Sequence, residues 1–109
     1  MKRSELLKVI PDTGFAPGKL VMHPNEGYDL GLMRQSHDIE VCINQPLEAF
    51  SKGSCPHISG SLFLENECRH GVVEMSKKQW TEMGRPDQVL VVHNDGRILL
   101  LSKPKNADK

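Results

Sequence analysis

The chain has 109 residues, with 14 Lys and Arg against 14 Asp and Glu and a pI near 7.0. That length makes one domain able to bury its own core, and the charge balance excludes the cationic surplus that general nucleic-acid binding or adhesion to an anionic membrane requires. Three cysteines are too few for a secreted disulfide scaffold, the opening MKRSELLKVIPD has no signal-peptide pattern, and no apolar run reaches a membrane span, so the expected setting is cytoplasmic with reduced thiols.

In chain order, residues 4–10 (SELLKVI) read as a short helix with Ser4 as N-cap and Pro11 as its stop. The stretch 11–27 is punctuated by Pro11, Gly14, Pro17, Gly18, Pro24 and Gly27, and reads as loop around one strand, 19–23. Residues 38–43 alternate as a half-buried strand, with Ile39, Val41 and Ile43 on one face and Asp38, Glu40 and Cys42 on the other. Pro at the start and Gly at the end mark 46–53 as a short helix. Strands are expected over 61–65 and 71–75.

The C-terminal third carries the sharpest local signals. Ser76 and Gln79 make a capping-box pattern, and Gly84 and Pro86 stop the helix it opens, on which Trp80 and Met83 share the packing face. Asp95-Gly96 between the apolar runs 88–93 and 97–102 predicts a β-hairpin. A two-residue turn there sets Val92 opposite Leu99 and Leu90 opposite Leu101 on one face, and Val91 opposite Leu100 and His93 opposite Ile98 on the other. Both faces are apolar, so each must be covered, by the rest of the domain or by a partner subunit. The expectation is a single α+β domain over 1–102, with a mostly antiparallel sheet of five or six strands centred on this hairpin, two or three short helices, and a polar tail over 103–109.

One constellation can carry special chemistry. Cys55-Pro56-His57 is followed by Cys68-Arg69-His70, a doubled Cys-x-His. Cys55, His57, Cys68 and His70 are the ligand types of a structural zinc site, and laid antiparallel the two triplets would present all four on one face. Against this, Pro56 cannot donate to a ladder, and the turn would fall on the strand-like Leu62-Phe63.

The same segment resembles the Rieske iron–sulfur motif, with Cys55-Pro-His57 matching its first half and Cys68-Arg69-His70-Gly71 its second, one spacer residue shorter. That resemblance implies Cys55 and Cys68 on one iron and His57 and His70 on the other. The run from Val73 through Trp80, Gly84 and Pro86 to Val91 resembles the ends of small uncharacterised bacteriophage-encoded proteins and implies no activity. No phosphate-binding glycine loop and no acid–base set is legible. The expected function is therefore a non-enzymatic protein-interaction or accessory module without a cofactor, acting through a protein partner or self-association. A zinc-stabilised binding module built on Cys55, His57, Cys68 and His70 is the alternative, and an iron–sulfur redox protein the remote one.

Overall fold

The computed structural model describes residues 1–102, and the expected tail, 103–109, lies outside them. Its strands are β1 (Lys2–Asp12), β2 (Lys19–Met22), β3 (Ser36–Ile43), β4 (Ile58–Leu64), β5 (Val72–Ser76), β6 (Gln88–Asn94) and β7 (Arg97–Ser102). Its short helices are α1 (Pro24–Asp29), α2 (Leu47–Ser51) and α3 (Lys77–Glu82). The strands close into a barrel in the order β1-β5-β2-β4-β3-β7-β6. The pairs β1–β5, β2–β4 and β3–β7 are parallel, and the other four are antiparallel. The α+β expectation of a mostly antiparallel sheet centred on the hairpin is thus corrected: the hairpin is one wall of a closed, mixed barrel.

The largest correction is the first element. Residues 4–10 are not a helix but part of β1. Leu6, Leu7, Val9 and Ile10 mimic a helical stripe because apolar residues stand on both faces of the strand, Leu6 and Ile10 beside Lys8 on the outer one. Leu7 and Val9 point into the core, while Leu6 and Ile10 stay partly exposed outside. Ser4 does accept a backbone N–H, as a cap would, but from Val91 of β6 at 3.1 Å. It sits where the β1–β6 register slips between Arg3 and Leu6. A bulge leaves a ladder donor unmatched, and the buried Ser4 hydroxyl satisfies it.

The hairpin matches its predicted register pair for pair. Asp95 and Gly96 both take positive φ, 52° and 78°, as a type I′ turn demands. Its inner face is covered within the chain and its outer face in part, Leu90 and Leu101 staying half-buried. Val89, Val91, Ile98 and Leu100 join the barrel interior, while Val92 and Leu99 pack outside with Cys42, Cys55 and Phe50 of α2. A third cluster, Val21, Cys68 and Val72 with Phe15 and Phe63, lies on the outer face of β2 and β5. Leu30 and Leu32, after α1, extend the interior core at one end of the barrel, and Met83 and Trp80 do so at the other. Ser76 caps α3 as predicted, accepting from the Gln79 amide at 3.0 Å. The Gln79 side chain does not return the bond; it accepts from the Gly18 amide at 2.9 Å.

That last contact belongs to the tightest point of the barrel. Gly18 (φ +88°) passes so close to β4 that a Cβ on Gly60 would strike the Gly18 carbonyl, and one on Gly18 would lie 2.7 Å from the Ser59 carbonyl oxygen. Both obstacles are backbone and cannot swing away. Ser61 donates to the same Gly18 carbonyl at 3.1 Å, opening the parallel β2–β4 ladder. Gly60→Ala is expected to cost about 2 kcal/mol or more through overpacking and loss of that bond. Gly84→Ala, at positive φ but with open space around it, is expected to cost roughly 1 kcal/mol. Urea unfolding of both variants checks the order.

Candidate metal centre

The barrel order forces one loop over the end of one strand. β4 and β5 follow each other in sequence, yet β2 lies between them. The connection 65–71 must therefore cross the end of β2, where Met22 pairs with Leu64 on one side and Val73 on the other. Glu65 fixes its start by donating to the Met22 carbonyl at 3.0 Å, and the Gly71 carbonyl fixes its end by accepting from Lys8 of β1 at 2.8 Å. His23, the first residue after β2, emerges against this loop and meets His70. Their ring centroids are 3.7 Å apart, with planes tilted by 32°.

His23 is the N-cap of α1, with extended backbone and Pro24 following it in the first turn. Its Nδ1 accepts from the Asn25 amide at 3.1 Å. Glu26, in the first helical turn, accepts from the Gly71 amide at 3.2 Å. The Asn25 side chain touches His70 Nδ1 at 3.2 Å. One donor atom from each of His23, Glu26 and His70 lies within 4.8 Å of the others, His23 and Glu26 half-buried and His70 exposed.

Ligands on one tetrahedral ion at ~2.1 Å would sit about 3.4 Å apart, so modest side-chain rotation closes the set. The neutral His23 ring accepts at Nδ1 and carries its proton on Nε2. Ligation by either nitrogen therefore exchanges the cap bond, worth about 1 kcal/mol, for a metal bond. At His70 the Asn25 amide nitrogen faces Nδ1, and ligation through Nε2 requires that amide to turn over so that its oxygen accepts from Nδ1–H, the usual outer-sphere arrangement of a ligating histidine.

Of the four residues singled out by sequence, only His70 takes part. Cys55 and Cys68 lie in different apolar clusters, and His57 pairs with Glu40 of β3 at 3.0 Å. Burial, reinforced by Glu74, pushes the Cys68 thiol up to about 12. The four-ligand zinc set and the Rieske pairing are therefore not assembled in this fold. The candidate residues absent from the sequence reading carry a faint signal: His23 and Glu26, three apart, share one side of a helical turn. Residue 70 reaches them only through the barrel order.

A solvent-open cleft of about 640 Å³ adjoins α1 and the crossing loop, lined by Pro24, Met33, Gln35, Leu64, Glu65, Asn66 and Glu67. Comparison of the chain with protein-family models, with curated proteins and with solved structures finds no match.

The remaining histidines hold structure. His93 donates from Nδ1 to the Leu30 carbonyl at 2.8 Å and accepts at Nε2 from the Gly96 amide at 3.0 Å, tying the hairpin to the end of α1. His37 accepts from the Arg34 amide at 3.1 Å. Burial first, then the positive charge of Arg34 and a smaller effect of His93, hold its pKa below the ordinary 6.5. A histidine whose folded pKa is depressed is stable when neutral. Its contribution is fully present above 6.5 and is lost as pH falls through the folded value. Chemical denaturation between about pH 7 and about pH 5 should show wild type losing more stability than His37→Gln, which keeps an acceptor but does not titrate.

Proposed function

We propose that the protein is a small binding module that takes one divalent transition-metal ion through His23, Glu26 and His70. The observation that carries this reading is the convergence of two imidazoles and a carboxylate within 4.8 Å, at a point where a crossing loop and a helix start are fixed by backbone bonds. Imidazole nitrogen with carboxylate oxygen suits zinc and its first-row neighbours, not calcium or magnesium. Three protein ligands leave a tetrahedral ion one position short, so the fourth is open to water or to a donor from outside the chain.

The surroundings favour a protein as what the module meets. Tyr28 on α1 and Met33 just beyond it are 68% and 74% exposed, the largest exposures among the bulky apolar residues described. Large apolar side chains left this bare on a domain of balanced charge suit a partner surface.

Titration calorimetry with zinc on the chelator-treated, untagged protein should give about one ion per chain. His70→Ala and Glu26→Gln should each weaken binding roughly tenfold or more, while Cys68→Ser leaves it unchanged. Absence of stoichiometric binding, or binding that survives His70→Ala and fails in Cys68→Ser, would contradict the proposal.

A further inference from the structure

The Cys-x-His triplet at 55–57 has a use apart from any metal. β3 and β4 run antiparallel, with Val41 opposite Ile58 and Glu40 opposite Ser59. The segment before β4 therefore runs back along the outer face of β3. The Glu40–His57 pair at 3.0 Å is one side-chain rung of that approach. That contact is diagonal, offset by two residues from the register in which Glu40 faces Ser59, and the same diagonal offset relates Cys42 to Cys55. Both are free and buried, in one small cluster with Phe50, Val92 and Leu99.

We infer that Cys42 and Cys55 are a matched dithiol that closes to a disulfide under mild oxidants, stapling the segment after α2 onto β3. The Cys55 thiol lies within interaction range of Cys42 and acts on it directly, adding to the burial that raises Cys42 above the ordinary thiol value. Cys68 belongs to the separate cluster over β2 and β5 and has no part in the pair.

The chemistry balances with a peroxide as the two-electron oxidant. Cys55, whose neighbours Ser54 and Pro56 are exposed, is the thiol an oxidant meets first. Its thiolate attacks one peroxide oxygen, the O–O bond breaks, and a sulfenic acid and one water result. The Cys42 sulfur then attacks the sulfenic sulfur and expels the second water. The two thiol hydrogens and two electrons end on the peroxide oxygens, and the S–S bond is the only new bond in the protein. Oxidised glutathione gives the same product by two exchanges, releasing two reduced glutathiones. The sulfurs must close to about 2 Å, which the irregular segment 52–57 can accommodate more readily than two paired strands.

The test is to reduce the whole protein, remove the reductant, and expose it in its folded state to hydrogen peroxide or to oxidised glutathione. The expected product is lighter by about 2 Da, the two thiol hydrogens. Trypsin alone leaves Cys55 and Cys68 on one peptide. Adding a protease that cuts after Glu65 and Glu67 separates them and should show Cys42 joined to Cys55, with Cys68 a free thiol. Cys68→Ser should form the link as wild type does, and Cys55→Ser should not. A stable glutathione adduct on Cys55, a link through Cys68, or three free thiols after exposure would overturn the inference. Mapping of wild type and Cys68→Ser decides it even where Cys42→Ser or Cys55→Ser fails to fold.

Discussion

Closure by the first strand is the constraint on which the rest of this molecule depends. β1 is 11 residues long and bonds to β5 in parallel and to β6 in antiparallel sense. Without it the sheet would have two open edges, each a row of unpaired backbone groups. The same strand provides the Lys8 amide that holds Gly71, and so fixes the loop that carries His70. It also provides Ser4, whose hydroxyl answers the Val91 donor stranded by the bulge. Chain ends far apart in sequence thus meet side by side, and the site at the end of β2 inherits its rigidity from that meeting.

How much of this was legible in the sequence follows from how local each signal is. The type I′ turn at Asp95-Gly96, the Ser76 cap and the stops at Gly53 and Gly84 are set by backbone sterics over a few residues, and the structure follows them. β1 imitates a helix because Leu6 and Ile10 flank Lys8 on its outer face while Leu7 and Val9 point inside, so the alternation of polar and apolar residues is broken. α1 was hidden inside a Pro- and Gly-rich stretch because its cap is a histidine, an uncommon acceptor for the purpose. Barrel closure and the parallel pairs are long-range facts that no window of sequence contains.

The cysteine and histidine cluster shows the same division. Proximity in sequence suggested four ligands, but the fold sorts them by side-chain character. Cys55 and Cys68 go into two separate apolar layers, where a small thiol packs well. The imidazoles stay at the surface, His57 with the Glu40 carboxylate and His70 with His23. What the sequence offered as one site becomes two features on different faces of the barrel: a thiol pair beneath α2, and an imidazole–carboxylate group where the 65–71 crossing meets α1.

The most direct test of this account is anomalous diffraction at the zinc edge from crystals grown with zinc. The account predicts a peak bonded to His23, Glu26 and His70, with the crossing loop in place over the end of β2. A peak held by Cys55, His57 and Cys68 together, or a fully occupied zinc elsewhere with these three side chains empty, would contradict it.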